Sequence, residues 1–341
     1  MIVVIGDIHG CLDPLKALIK RKERSRKRWG SNVEYLFLGD YIDRGPCIKD
    51  VLDYLIALDV KKTFLVGNHE DMLMMYHKGH ELFERIGNAW FARNNGGLTT
   101  VEDLDGDSPL FEDVWEDVRS GNNSYKYKAN HGEFRLEPKY EAFFEQMKYA
   151  EKRDFHIQGK SFSVLFSHSV PNPKIPLAEL LNCSSYEDFH RLNKVYKVYE
   201  DESSLWNREF LMEPIEGCTL VHGHTPTFKA KEYIKRRPRD YSEPATDFVN
   251  SNFDEKNPHQ VFYTTHKQTG ELLQVDLDTG AVYGGRLSSI TFPETDEEAE
   301  ILSHMNTTLA PVYIDLSKGF YDRWLRIQEK FPSIEQFVHE G

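Results

Sequence analysis

Three short polar strings, each opened by a glycine and placed directly after a short apolar run, constrain this chain more than any other feature. The strings are GDIHG at 6–10, GDYIDRG at 39–45 and GNHE at 67–70. The apolar runs before them lie at 2–5, 35–38 and 64–66. Because glycine lets the chain turn sharply where each run ends, the polar side chains that follow are expected to point at one place.

Helical periodicity follows the first two strings. Apolar residues recur at helical spacing at Leu12, Leu15, Leu18 and Ile19, and again at Val51, Leu52, Leu55, Ile56 and Leu58. Strands that alternate with helices over 1–75 predict an α/β fold with a mostly parallel sheet and helices on its faces. In such sheets ligands bind beyond the carboxyl ends of the strands, which is where the strings lie.

Carboxylate, amide and imidazole side chains that converge at strand ends are the ligands that a pair of divalent metal ions needs. Asp40 is the expected bridging carboxylate, since it follows the strand between the other two motifs. Asp7 and His9 occupy alternate positions after the first strand, so both can face one ion.

The second ion would take its ligands from later parts of the chain. Asn68 can give it a neutral oxygen, and His168 and His224 end two further predicted strands and can complete the site. His222 stands two residues before His224 and is the weaker candidate. These patterns predict a two-metal phosphoesterase, in which water bridging the metals is the nucleophile.

Acid–base and phosphate-binding roles fall to neighbours of these ligands. His69 follows Asn68 directly and should point away from it, which suits a general acid that protonates the leaving oxygen. Asp43 is the expected partner that orients the His69 ring. Arg44 is the first candidate to bind the substrate phosphate in a bidentate manner, and Arg208 and Asn68 are further candidates.

Composition excludes several other classes of protein. The chain has 341 residues, 40% of them apolar, which is enough for a sizeable core. A net charge of −13 argues against general affinity for nucleic acid. The chain has no run of 18 apolar residues, so no membrane span is expected. Its first residues have neither the basic start nor the long apolar region of a signal peptide, so none is expected. Four scattered cysteines are typical of reduced thiols, so a cytoplasmic location is expected.

The rest of the chain reads as additions to this core. Residues 80–158 look mainly helical, and 228–260 look charged and loop-like. The expected helices lie at 82–93, 109–118, 138–150, within 176–210, and at 321–331; the expected later strands lie at 162–166, 218–221, 261–264, 272–276, 282–286 and 309–314. We expect a catalytic domain over 1–290, with a helical insertion at about 103–158 and a loop insertion at about 228–258. Residues 291–341 would be an extension packed on that domain.

The motifs resemble those of the phosphoprotein phosphatase (PPP) family of calcineurin-like metallophosphoesterases. The shared pattern is GDxHG, GDxxDRG and GNHE, then a strand-end histidine and a late GHTP at 223–226. The bacterial and bacteriophage branch of serine/threonine phosphatases is the most similar, and segments 90–100 and 278–285 look like further parts of it. The resemblance covers about 1–100, 160–226 and 260–290.

This resemblance implies a central β-sandwich flanked by helices and a specific set of site residues. Asp7, His9 and Asp40 would hold the first metal, and Asp40, Asn68, His168 and His224 the second. His69 with Asp43 would be the acid pair, with Arg44 on the phosphate. The chain departs from the family where serines flank His168, since the family often has His-Gly-Gly there. The match to Arg208 is loose, and GHTP selects His224 over His222.

The expected function is therefore hydrolysis of phosphoserine and phosphothreonine in proteins or peptides by metal-bound hydroxide. Mn²⁺ suits the mixed ligands, as does an Fe/Zn pair. The main alternative is hydrolysis of dinucleoside polyphosphates or other nucleotides at the same site; phosphotyrosine is a third substrate class. A catalytically silent scaffold is a rival of another class. A closed aromatic pocket in 80–158 would favour a nucleotide, and an open groove a phosphoprotein. No membrane and no stable nucleic-acid partner is expected.

Overall fold

Two β-sheets packed face to face bring the ends of the motif-bearing strands together. The computed structural model describes residues 1–29, 32–79, 88–91, 95–106, 134–236 and 243–299, and the structural statements below concern these residues. The strands are β1 (Ile2–Ile5), β2 (Glu34–Phe37), β3 (Lys61–Phe64), β4 (Ala150–Ile157), β5 (Lys160–Ser167), β6 (Cys218–His222), β7 (Val249–Ser251), β8 (Phe262–His266), β9 (Leu272–Asp276) and β10 (Ser289–Phe292).

Both sheets are mixed. The first has the order β10-β1-β2-β3, in which β1, β2 and β3 are parallel and β10 is antiparallel to β1. The second has the order β4-β5-β6-β9-β8-β7, in which β5, β6 and β9 are parallel. Parallel strands at the centre of each sheet point their carboxyl ends to one edge, as the strand–helix alternation predicts.

The helices surround this sandwich. They are α1 (Leu12–Trp29), α2 (Ile48–Ala57), α3 (Asn68–His77), α4 (Asn88–Phe91), α5 (Gly97–Asp105), α6 (Pro138–Glu145), α7 (Leu177–Asn182), α8 (Tyr186–Val195) and α9 (Ala230–Ile234). No helix in the described ranges is both long enough and apolar enough to cross a bilayer.

Alternate residues of β1 serve two different cores, which explains why this strand is apolar throughout. Val3 and Ile5 pack with the helices on the outer face. Ile2 and Val4 face the second sheet, where Val164 of β5 belongs to the same buried cluster. A strand buried on both faces reads as a continuous apolar run rather than an alternating one. The β-sandwich flanked by helices is thus confirmed.

The helix expected at 138–150 ends earlier, and the mainly helical expectation for 80–158 is wrong at its end. Helix α6 ends at Glu145, and β4 then pairs antiparallel with β5 along its whole length. The run of charged residues at 151–154 hides the period-2 pattern, although Phe155 and Ile157 enter the core between the sheets. Charged residues are favoured there because β4 is an edge strand.

Other sequence expectations also need correction. Segment 228–260 is not only loop, since it contains α9 and β7. Residues 282–286 do not form a strand; a 3₁₀ turn, Ala281–Tyr283, lies between two glycines with positive φ, and the strand follows at β10. Strand β3 lies at Lys61–Phe64, earlier than 64–66, because two lysines mask its start. Ile56 of α2 is exposed rather than part of the apolar face.

Some expectations fall outside the described residues. These are the helices at 109–118 and 321–331, the strand at 309–314, and all of 82–93 except α4. The division of the chain into 1–290 and 291–341, with its two insertions, stays a prediction. Strand β10 runs across the proposed boundary.

Candidate active site

The three polar strings lie at the carboxyl ends of β1, β2 and β3, while His168 and the GHTP segment at 223–226 follow β5 and β6. Among the described residues, eight other than glycine have positive φ. Five of them are in the polar strings or in the GHTP segment: His9, Asp40, Asp43, Arg44 and His224. Left-handed backbone at non-glycine residues costs free energy and concentrates at functional sites. This strain points to the strand ends as the functional region.

Two glycines are required by close approach of the carboxylates. A Cβ atom at Gly223 would overlap the Asp7 carboxylate, and one at Gly67 would overlap that of Asp40. The glycines of the motifs therefore make room for the acidic side chains as well as turning the chain.

The first of two histidine–aspartate clusters contains His9, Asp40 and His69, all buried. The Nδ1 atom of His9 lies 2.8 Å from the carbonyl oxygen of Ile42, to which it must donate, so Nε2 carries the lone pair. That Nε2 lies 3.4 Å from Asp40 Oδ2 and accepts from the Arg44 guanidinium at 2.6 Å. The Nε2 atom of His69 lies 3.9 Å from the same Asp40 oxygen.

The second cluster contains Asp40, His168 and His224. His168 donates from Nδ1 to the Leu38 carbonyl at 2.9 Å, so its Nε2 lone pair faces Asp40 Oδ1 at 3.3 Å. His224 donates from Nε2 to a backbone carbonyl at 3.2 Å and turns Nδ1 inward. Asn68 Oδ1 lies 2.9 Å from the inner nitrogen of His168 and 2.8 Å from that of His224.

These clusters fit divalent metal ions because lone pairs of the Asp40 carboxylate face lone pairs of ring nitrogens, with no hydrogen atom between carboxylate and ring. Asp40 presents one carboxylate oxygen to each of two unprotonated ring nitrogens, those of His9 and His168. Burial lowers the pKa of His168 to about 3 and also lowers the pKa of His9 and His224, so these rings are neutral near neutral pH. Burial raises the pKa of Asp40 to about 7. A buried carboxylate among neutral imidazoles is an environment that a cation stabilises.

Asp7 lies beside the clusters but belongs to neither of them. Its Oδ2 accepts from the backbone N–H of His224 at 2.9 Å, and its Oδ1 is buried with no hydrogen-bond partner among the residues that the structure describes. Burial raises the pKa of Asp7, and the carboxylates of Asp278 and Asp40 raise it further. The unpaired oxygen of Asp7 is therefore a further group that a cation would satisfy.

Two late carboxylates beside Asp7 were not anticipated as site residues. Asp276 ends β9, and Asp278 follows it; both are buried. Their position could have been inferred, since β9 was predicted and acidic residues also follow the ends of β1, β2 and β3.

The expected acid pair is in contact. His69 Nδ1 lies 2.5 Å from Asp43 Oδ2. The Asp43 carboxylate also accepts from Trp90 Nε1 at 2.9 and 3.1 Å and from the Thr100 hydroxyl. Trp90 and Thr100 lie in the 90–100 segment, which the motif comparison noted without assigning a role. Together they hold Asp43 in place behind the His69 ring.

Glu70 holds the backbone of the second string. Its Oε2 accepts from the N–H groups of Gly67 and Asp40 at 2.9 and 2.8 Å. Its Oε1 accepts from those of Tyr41 and Ile42 at 2.8 and 3.3 Å. Burial and the neighbouring Asp40 carboxylate raise the pKa of Glu70 to about 8, and the N–H donors act against that shift. Sequence reasoning placed Glu70 in the GNHE motif but assigned it no task.

Two arginines flank the clusters. Arg44 contacts His9 Nε2 and lies over the Tyr283 ring, with Cζ 5.5 Å from the ring centroid. Arg208 donates from its guanidinium to the carbonyl oxygen of His224 at 2.9 Å. The structure therefore brings both candidate phosphate-binding side chains to the clusters, one beside each.

Five of the described aromatic side chains of 80–158 form core, whereas Phe144 and Tyr149 also line a cavity beside α3. Trp90, Phe91, Phe134, Tyr140 and Phe143 are all buried. Trp90 packs against Phe91, with ring centroids 4.8 Å apart. These aromatic residues consequently do not distinguish a nucleotide from a phosphoprotein.

Comparison with known proteins identifies relatives of the chain. The sequence profile described as calcineurin-like phosphoesterase matches residues 1–284. The symmetrical bis(5'-nucleosyl)-tetraphosphatase of Hamiltonella defensa subsp. Acyrthosiphon pisum is 38% identical over 77 residues, which are 22% of this chain and 26% of the relative. The asymmetrical bis(5'-nucleosyl)-tetraphosphatase PrpE of Oceanobacillus iheyensis is 32% identical over 90 residues, 25% of this chain and 36% of the relative.

These matches with curated relatives are partial. The chain spans 26% and 36% of the length of the two relatives. Among solved structures, a cold-active protein-tyrosine phosphatase of a psychrophilic Shewanella species is 16% identical, with a TM-score of 0.34 over 84% of this chain and 74% of that chain. A superposition at that TM-score carries no argument about substrate.

Proposed function

Because this chain belongs to the calcineurin-like phosphoesterase family, we propose that its two clusters bind two divalent metal ions and that it hydrolyses phosphate monoesters. The observation that carries the proposal is Asp40, whose two carboxylate oxygens face unprotonated nitrogens of His9 and His168 at 3.4 and 3.3 Å. Acceptors held this close call for a cation between them.

The contacts described above support one set of ligands for each metal ion. His9 and Asp40, with the unpaired oxygen of Asp7, would hold one ion. Asp40, Asn68, His168 and His224 would hold the other. When bound, such a pair of ions activates water near neutral pH and stabilises negative charge on phosphoryl oxygens.

The remaining steps fall to side chains around the clusters. Arg44, beside His9, is placed to bind the phosphate oxygens, with Arg208 on the other side. His69 would donate a proton to the leaving oxygen, since its Nε2 points toward Asp40 and its Nδ1 contacts Asp43. The Asp43 carboxylate would stabilise the protonated ring, as a buried carboxylate does behind a catalytic histidine.

The finer substrate assignment is dephosphorylation of phosphoserine and phosphothreonine in proteins or peptides, with Mn²⁺, in the cytoplasm. It rests on the resemblance of the motifs to the PPP family. Hydrolysis of dinucleoside polyphosphates is the second candidate. It is favoured by the two curated relatives, which are named as bis(5'-nucleosyl)-tetraphosphatases.

The experiment that tests the reaction compares His69→Asn with wild type on esters with good and poor leaving groups, after metal stripping and Mn²⁺ addition. A missing general acid costs about 10²- to 10⁴-fold in rate. The loss should be large on a phosphoserine peptide and small on p-nitrophenyl phosphate, whose leaving group hardly needs a proton. Manganese content should stay unchanged.

The matched control is His156→Asn, since His156 is exposed and its ring hydrogen-bonds to the Ser161 hydroxyl of the same hairpin. It should leave both rates at wild-type values. Equal losses on the two esters in His69→Asn would refute the general-acid role. Absence of Mn²⁺-dependent hydrolysis of any ester by wild type would refute the proposed function itself.

A further inference from the structure

An aromatic ledge borders the arginine side of the candidate active site. The ledge consists of Tyr283 and Phe228, whose ring centroids lie 5.5 Å apart with the planes at 79°. Tyr283 is 45% exposed, while the two residues before it in the same turn, Ala281 and Val282, are buried. A turn anchored by its apolar neighbours thus presents a large ring to solvent at a cost in unburied apolar surface.

The ledge adjoins the groups that would bind phosphate. The Arg44 guanidinium lies over the Tyr283 ring at 5.5 Å, and the ammonium of Lys229 lies 5.9 Å from the Phe228 ring. Burial raises the pKa of Tyr283, and Arg44 and Asp278 act on it in opposite senses. The Tyr283 ring is therefore joined to the first cluster through Arg44, which contacts both the ring and His9, although part of the ring is exposed.

Hydrogen bonds to backbone carbonyls join the three segments that carry and support the ledge. Thr227 donates from its N–H to the Asp278 carbonyl at 2.8 Å and from its hydroxyl to the Pro258 carbonyl at 2.9 Å. His259 donates to the Thr279 carbonyl at 3.0 Å and packs its ring against Phe228 at 5.2 Å. A surface fixed in this way loses little conformational entropy when a planar ligand stacks on it.

A glycine at each end of the Tyr283 turn maintains this arrangement. Gly280 and Gly284 have φ of 74° and 80°, a region that other residues rarely adopt. A Cβ at Gly280 would also press on the Phe228 ring at 3.2 Å.

We propose that the aromatic ledge stacks the base of a nucleoside polyphosphate whose reacting phosphate lies at the metal clusters; this inference rests on the two-metal site of the proposed function and on its second candidate substrate, a dinucleoside polyphosphate, in which the bond broken is a phosphoanhydride. Rings and cations alternate along the rim, with Arg44 next to Tyr283 and Lys229 next to Phe228. That alternation matches a ligand in which several phosphates lead to a planar base. A phosphoserine peptide offers one phosphate and requires no ring.

The test measures kcat/KM for diadenosine tetraphosphate and for glycerol 2-phosphate, a small ester without a ring, both with Mn²⁺. In Tyr283→Ala the ratio of the first value to the second should fall about tenfold, the equivalent of about 1.4 kcal/mol for one stacked base. Phe228→Ala should lower the ratio in the same direction. Tyr283→Phe, which keeps the ring, should retain the wild-type ratio within about twofold, since stacking on a π-face does not need the hydroxyl.

Tyr263→Ala is the matched control, since Tyr263 lies on β8 and is 42% exposed, much as Tyr283 is. It should leave both kcat/KM values at wild-type level. An unchanged ratio in Tyr283→Ala, whether both kcat/KM values stay the same or fall equally, would overturn the ledge as a base-binding surface.

The outcomes separate this inference from the proposed function. Wild type that hydrolyses glycerol 2-phosphate with Mn²⁺ but not the dinucleotide would overturn the ledge assignment and leave the proposed function intact. Wild type that hydrolyses neither these two substrates nor any other phosphate ester with Mn²⁺ would overturn both.

Discussion

Glu70→Gln should destabilise the folded protein even when no metal is bound. The two carboxylate oxygens of Glu70 accept four backbone N–H groups, two on each oxygen. A glutamine has only one oxygen, so two of the four buried donors would face its NH₂ group instead. The Oε1 pair includes the longest of the four bonds, 3.3 Å from Ile42, so the glutamine oxygen should take the Oε2 position.

The loss of folding free energy follows from the two hydrogen bonds to Glu70 Oε1, from Tyr41 and Ile42, that the glutamine cannot accept. At a pH above about 8 the Glu70 carboxyl is ionised, and hydrogen bonds to charged groups contribute about 1.5–3 kcal/mol each. At such a pH, losing one 2.8 Å bond and one weak bond costs about 3 kcal/mol. That is a large share of a typical stability of about 5–15 kcal/mol. It corresponds to a fall in Tm of about 6–12 °C for a domain of a few hundred residues.

Circular dichroism melts in EDTA measure this loss without any contribution from bound metal. Glu271→Gln is the matched control, since Glu271 is exposed and the change of charge is the same. It should shift the Tm by less than about 2 °C, as surface substitutions do. A Glu70→Gln melt that coincides with wild type would refute the view that the four N–H bonds stabilise the Asp40 loop.

Two further substitutions test the metal bridge and the support of the acid pair. Asp40→Asn should weaken binding of both ions because the two oxygens serve different clusters, and metal analysis at fixed Mn²⁺ should show both lost together. Loss of a single ion would contradict the bridge. Trp90→Phe removes the donor to Asp43 and should cost about 1–3 kcal/mol of stability in thermal melts. It should also slow phosphoserine hydrolysis more than p-nitrophenyl phosphate hydrolysis; an unchanged rate ratio would mean that Trp90 does not help to position the pair.

Much of the first sheet could be predicted from local patterns. The apolar runs and glycines located the ends of β1 and β2, and alternation with α1 and α2 predicted their parallel order. The pattern failed at β4, where four consecutive charged residues look helical or disordered but lie on an edge strand. It also failed at 282–286, where the glycines that suggest a hairpin instead bound a 3₁₀ turn.

In the active site, too, some contacts could be predicted from the sequence and others could not. The sequence placed His69 and Asp43 in one centre, and their contact is present in the structure. It could not show that Trp90 would reach Asp43, since a tryptophan 47 positions away carries no local mark of that contact. Nor could it show that Asp7 turns one oxygen to the His224 backbone and leaves the other unpaired.

By itself the sequence determined which ligand types the chain carries and that they follow strand ends. This information is local, because periodicity, glycine position and residue chemistry lie within a few positions of each other. Only the tertiary structure decided which ring nitrogen of His168 faces Asp40, and that the Tyr283 ring meets Arg44. Those contacts join residues more than a hundred positions apart, and the packing of two sheets and the backbone carbonyls around each side chain select their geometry.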